Sequence, residues 1–283
     1  MKNLLFGLAF ASLWASASVA TKFGLMSAQP FVVADFRFFI AGILMLAWSM
    51  IVDKSRMPNA QEWKPLLIYG VLNVGIYLGC FVLAMAEVSA GIGSLGIAVN
   101  PLIISVLTAF WLGRKVKRQE YLGLFLGLLG VGIATFPLLV NSHASVKGIG
   151  ILAISMLAYS VATVYYSSVN WQLPRMSINA WQVLFGGIFL LPLTYFYYQP
   201  SLNHFDSRFY LSVTWLVFPV SIAAVQLWLY LLKIDAVKAS LWLYLCPIFG
   251  FLYAYLFLSE PITLYTYIGT FFVILGLYLA KRQ

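Results

Sequence analysis

Ser155, Tyr159, Thr163, Tyr166 and Asn170 follow one another at intervals of 4, 4, 3 and 4 residues, which lines five hydrogen-bonding groups along one face of a helix. Trp14, Ser18 and Thr21 repeat the pattern near the start of the chain. Asn73 and Tyr77, four residues apart, share a helical face as well. Two such faces meeting across a cavity could hold a small molecule with hydroxyls, amides and ring faces. The alternative is that these hydroxyls bond backbone carbonyls and neighbouring helices. Bond-making chemistry has no candidates: no nucleophile–base pair, metal-ligand cluster or phosphate-binding Gly-Lys loop is present. An enzyme, an ATP-driven pump and a bound cofactor are therefore not expected.

The elements that position these residues follow from composition. Of 283 residues, 63% are hydrophobic and 9% charged, with 17% aromatic. A soluble domain carries about 25% charge, so this chain cannot cover a water-facing surface. Long apolar runs, without short alternating segments, exclude an outer-membrane barrel. Taking about 20 apolar residues per crossing, ten spans are expected at roughly 4–24, 32–52, 65–86, 91–112, 119–139, 147–169, 180–199, 209–232, 238–258 and 262–280. The expected class is an all-α integral membrane protein of ten transmembrane helices. Lys2, the first apolar run and the small-residue stretch ending at Ala20 also fit a secretory signal, a reading weakened by the repeat below.

Basic residues orient the spans. With the N-terminus inside, cytoplasmic segments hold 13 Lys and Arg against 3 on the other side, and Arg37 alone falls within a span. Both termini are then cytoplasmic, and the net charge of +9 needs no nucleic acid to explain it.

Laid on itself at an offset of 145–146 residues, the chain aligns almost without gaps. Ala90, Ser94, Leu95 and Pro101 fall on Ala236, Ser240, Leu241 and Pro247, while Tyr121, Gly123 and Gly130 fall on Tyr267, Gly269 and Gly276. Trp14 falls on Tyr159. Residues 1–141 and 142–283 thus read as two five-helix copies. Five is odd, so the second copy is inverted, as in many secondary transporters. The basic run at 114–118 and its uncharged-to-acidic counterpart at 260–264 agree with that inversion.

With Leu13-Trp14-Ala15-Ser16, Arg37-Phe38-Phe39-Ile40-Ala41, Ala239-Ser240-Leu241-Trp242, Cys246-Pro247 and Leu258-Ser259-Glu260-Pro261 in view, the chain resembles the EamA-type branch of the drug/metabolite transporter superfamily. The resemblance implies secondary transport through a pathway between the two copies, lined by spans one, three, four, six, eight and nine. Trp14, Ser18, Tyr77, Asn100, Tyr159, Thr163, Gln226, Trp228, Trp242 and Tyr244 become candidate substrate contacts. Pro101 and Pro247, each freeing a carbonyl four residues back, are hinges, expose those carbonyls to substrate, or are static kinks. Arg37, roughly 9 Å below the outer end by helix rise, either closes an outer gate with Glu87 or snorkels to the interface.

The lack of a midplane acid disfavours multivalent cations. The substrate expected is an amino acid or similar zwitterion, exported across a bacterial inner membrane by alternating access. The rivals are export of amphiphilic cationic drugs, or uptake of a nucleotide-like or amine metabolite. The expected partners are a small-molecule substrate and the lipid bilayer, with no nucleic acid, in a monomer or homodimer.

Overall fold

In the computed structural model, the described residues are 2–113, 118–140 and 145–281. The basic positions 114–117, Asn141, His143, the repeat boundary at 141/142 and Arg282 lie outside them. Among the described residues ten long helices run in order: α1 Lys2–Leu25, α2 Pro30–Ile51, α3 Ala60–Glu87, α4 Ala90–Leu112 and α5 Arg118–Val140, then α6 Val146–Ser168, α7 Arg175–Tyr197, α8 Ser207–Ile234, α9 Ala236–Leu258 and α10 Leu264–Lys281. Eight are long and apolar enough to cross a membrane. The other two, α5 and α10, carry the shorter apolar stretches Tyr121–Ala134 and Leu264–Gly276. No strand occurs among the described residues.

Local chemistry sets the helix starts. Ser89, Ser145, Asp206 and Asp235 accept hydrogen bonds from the N–H groups of Ile92, Gly148, Phe209 and Lys238, satisfying donors that have no intrahelical partner. The bond from Phe209 also holds the Asp206 carboxyl below its ordinary range. Helix α3 starts at Ala60, earlier than the expected 65, because Glu62 accepts from the Asn59 N–H at 2.7 Å and ties down the opening turn. Helix α7 starts at Arg175, not 180, which brings Asn179 inside a helix with Gln182. Gly113 and Ser259, 146 residues apart, end α4 and α9 in the same left-handed conformation (φ 67° and 54°). Outward faces are apolar, as lipid requires: Phe110, Tyr195 and Phe196 are 87%, 82% and 79% exposed.

Packing mirrors the sequence repeat. Helices α2, α4 and α5 cross their own counterparts α7, α9 and α10. Helix α1 lies against α8 and α9, as α6 lies against α3 and α4. The α5–α10 crossing depends on glycine. A Cβ on Gly130 would come within 2.4 Å of the Gly269 carbonyl oxygen, and one on Gly276 within 2.5 Å of that of Gly123. Main chain cannot step aside, so Gly130→Val is expected to cost about 1–3 kcal/mol, read as a lower unfolding temperature in detergent. Gly132→Val, with nothing within 4 Å, should change little.

Four interruptions break the long helices at paired places. Helix α3 widens into a π-helical turn over Val71–Ile76, and α8 does so over Leu216–Ala224 around Pro219. In α4 the helical bonding is broken between Ile97 and Asn100. In α9 the stretch Leu241–Leu245 tightens to a 3-10 helix.

Candidate substrate site

Six aromatic rings from four helices meet between the halves. Phe10 and Trp14, one turn apart on α1, lie 5.6 Å from each other by ring centroids. Trp228 of α8 stacks on Phe10 at 4.9 Å and on Tyr159 of α6 at 5.7 Å. Tyr77 of α3 sits 4.7 Å from Tyr159, 6.5 Å from Trp14 and 6.2 Å from Phe81. All six are buried, none more than 4% exposed. The π-helical turns aim two of them: Tyr77 directly follows the turn in α3, and Trp228 comes four residues after the turn in α8. A widened turn changes the direction of every later side chain, and such turns gather at functional sites.

Polar atoms inside this ring cluster lack partners. Tyr159 Oη, Thr163 Oγ1 and Trp228 Nε1 are buried without a hydrogen bond of good geometry; the two hydroxyls, one turn apart on α6, face each other, and Tyr69 Oη, earlier in α3, is likewise unbonded. A buried polar group left unsatisfied costs about 1–3 kcal/mol, and folded proteins leave few. Three such atoms at or beside one cluster make a site that can bind a polar solute. They offer hydrogen bonds and π faces, with no metal-binding group of His, Cys, Asp or Glu among the described residues.

The structure places the remaining expected contacts elsewhere. Ser18 accepts from Ser94 at 3.0 Å, joining α1 to α4. Asn100 accepts from Ser160 at 3.2 Å and donates towards Met156 Sδ at 3.3 Å, joining α4 to α6. Ser155 donates to the Tyr77 carbonyl at 2.8 Å. Gln226 reaches the Arg175 carbonyl at the start of α7, at 3.4 Å. Trp242 lies over Gly7 of α1, so closely that a Cβ there would sit 2.0 Å from the indole. Tyr244 belongs to a separate core with Leu95, Ala98, Ala134 and Val273. Of the ten candidates, Trp14, Tyr77, Tyr159, Thr163 and Trp228 come together.

The Arg37–Glu87 gate is corrected. Glu87 instead accepts from Lys147 Nζ and Ser145 Oγ, both at 2.8 Å. Snorkelling is excluded too, since Arg37 is 4% exposed and donates from Nε to Ser221 Oγ at 2.7 Å. Pro101 and Pro247 open the helical segments Asn100–Leu112 and Cys246–Leu258, so each begins a segment. The Leu243 carbonyl accepts from the Cys246 N–H within the 3-10 turn.

A different acid bridges two elements on the face carrying the α1–α2 connection. Glu260, after α9, accepts from the Ala90 and Gly91 N–H groups at 2.7 and 3.0 Å, at the N-terminus of α4. Carboxylates are favoured there by the unpaired N–H groups and the helix dipole.

A buried chain of amides also went unforeseen. Asn73 donates to Gln182, Gln182 to Asn179 and Asn179 to the Ser221 carbonyl, each at 2.8 Å. With Arg37 on the Ser221 hydroxyl, it links α2, α3, α7 and α8. The repeat held the clue: at an offset of 145 residues Gln182 falls on Arg37, and each bonds a residue in a π-helical turn of the opposite half.

Known proteins agree with this architecture. The model of the EamA-like transporter family matches twice, at residues 1–136 and 146–282. The chain belongs to that family, and is a multi-pass membrane transporter rather than an enzyme. It is 24% identical over 273 residues to an uncharacterized transporter of Archaeoglobus fulgidus, covering 95% of each chain. It is likewise 24% identical to the protein PecM of Dickeya dadantii, covering 95% of this chain and 88% of PecM. A solved crystal structure superposes with a TM-score of 0.77 over 99% of this chain and 97% of its own, at 20% identity; that likeness speaks for the fold.

Proposed function

We propose that the protein is a secondary transporter exporting amino acids or amino-acid-like zwitterions across the bacterial inner membrane by alternating access. In this reading both termini are cytoplasmic, and the two copies, dividing at 141/142, rock about the ring cluster. The observation that carries it is the set of unpartnered atoms, Tyr159 Oη, Thr163 Oγ1 and Trp228 Nε1, buried among stacked rings. Those atoms offer hydrogen bonds to a polar solute, and the ring faces attract an ammonium group. Export of amphiphilic cations is the second reading, favoured by the same ring faces.

Counterflow into proteoliposomes tests both. Vesicles preloaded with unlabelled amino acids, choline-like amines or cationic dyes are exposed to trace label of the same compound. Accumulation of amino acids is expected. Accumulation of amines or dyes alone supports the second reading, and none in any class contradicts transport of these solutes.

A further inference from the structure

Arg37 is a buried charge with no opposite charge beside it. Its Nε spends one bond on the neutral Ser221 hydroxyl, and its guanidinium lies 5.5 Å from the centre of the Phe38 ring. Its two terminal nitrogens bond no protein atom among the described residues. No acid pairs with it among the described residues: Asp35, two positions away, accepts from Thr194 Oγ1 at 2.5 Å through Oδ2 and leaves Oδ1 unbonded, Glu87 accepts from Lys147 and Ser145, and Glu260 from the start of α4. An isolated cation within a membrane span is costly, and arginine's planar fork fits a carboxylate with two parallel bonds.

The surroundings give that fork somewhere to act. A void of about 10 Å³ adjoins Arg37, lined also by Thr21, Leu78, Phe81 and Leu216, with room for about one water. Phe81 touches Tyr77 of the ring cluster, and Thr21 continues the α1 stripe of Trp14 and Ser18. The void thus adjoins the ring cluster through Phe81, itself one of the six rings.

We propose that Arg37 binds the carboxylate of the transported molecule, so that an anionic carboxyl group is a required feature of the substrate. This deepens the zwitterion reading above and rests on it. The amine and side chain would face the rings, and the carboxylate would enter the void as α1, α2 and α3 part.

Thermal unfolding of the purified full chain in detergent tests this, because a ligand of the folded state raises the midpoint. Acetate, benzoate and L-phenylalanine are each titrated beside the corresponding amide, at constant ionic strength set with chloride. At least one carboxylate is expected to raise the midpoint while its amide does not. In Arg37→Gln the half-saturating concentration should rise about thirtyfold or more, the loss typical of breaking a buried charge pair. Arg37→Lys, which keeps the charge without the fork, should fall between; it carries the test if the Gln variant does not fold.

Acids and amides acting alike in the parent protein, no acid acting at all, or an unchanged response in Arg37→Gln would each overturn the proposal. So would an equal effect of chloride alone, which would make Arg37 the seat of an inorganic counter-ion. Counterflow separates this from the parent reading. Carboxylate binding without flux faults transport alone, whereas equal flux of acids and amides faults the Arg37 anchor alone.

Discussion

Tyr159→Phe is expected to stabilise the protein and impair transport in the same molecule. The Tyr159 ring is fully buried and packs on Tyr77, Trp14 and Trp228, and phenylalanine keeps all of those contacts. Only the hydroxyl is lost, and that hydroxyl faces Thr163 without a bond of good geometry. Removing an unsatisfied buried group relieves a penalty of about 1–3 kcal/mol, so the unfolding midpoint in detergent should rise. A substrate that used the hydroxyl loses about 1 kcal/mol of hydrogen bonding, roughly a fivefold weaker half-saturation in counterflow. Thr163→Val, close in shape and likewise stripped of an orphan hydroxyl, should behave the same way. The two together should show a larger rise in stability and a larger loss of transport. A fall in the midpoint of Tyr159→Phe would show that the hydroxyl has a structural role. Unchanged half-saturation would remove it from the substrate site.

Glu260→Ala is expected to loosen the α1–α2 face. The two charge-assisted bonds from Glu260 to the Ala90 and Gly91 N–H groups tie the loop after α9 to the start of α4. Hydrogen bonds to charged groups contribute about 1.5–3 kcal/mol each. Losing one such increment shifts an open–closed equilibrium about 10–100-fold. A cysteine placed by Ser94→Cys reads this shift, in a background with Cys80 and Cys246 replaced. Ser94 is fully buried against Ser18 of α1, so alkylation there requires α1 and α4 to part. Labelling should accelerate about 10–100-fold in Glu260→Ala, with Glu260→Gln, which retains an acceptor oxygen, in between. Equal labelling rates in all three would exclude Glu260 as a latch.

Much of this architecture was legible in the amino-acid order, for identifiable physical reasons. The hydrocarbon thickness fixes how long an apolar run must be, so the spans could be placed to within a few residues. The glycines of the α5–α10 crossing were visible as a repeat because close backbone contact admits no other residue at Gly130 and Gly276. Trp14 and Tyr159 were found as a repeat-related pair, and they do touch, at 6.2 Å.

What escaped depended on helix geometry that no residue pattern announced. Regular helical spacing cannot foresee the π-helical turn over Val71–Ile76, which has no proline to mark it. In α9 the 3-10 stretch Leu241–Leu245 puts Tyr244 in a separate core, so Trp242 and Tyr244 part company. Asn179 falls just outside a span that apolar content starts at 180; the early start of α7 turns a loop amide into a buried one. Arg37 was visible as the lone basic residue in a span. Only packing showed that it points inward to Ser221, not outward to lipid or to Glu87.

The central claim is that substrate is held among Trp14, Tyr77, Tyr159 and Trp228, between the two halves. The most direct measurement is an experimental structure of the protein bound to the compound that counterflows best. The account predicts that compound between these rings, within hydrogen-bond distance of Tyr159 Oη or Trp228 Nε1. A bound compound found elsewhere, with the four rings still packed on one another, would contradict it.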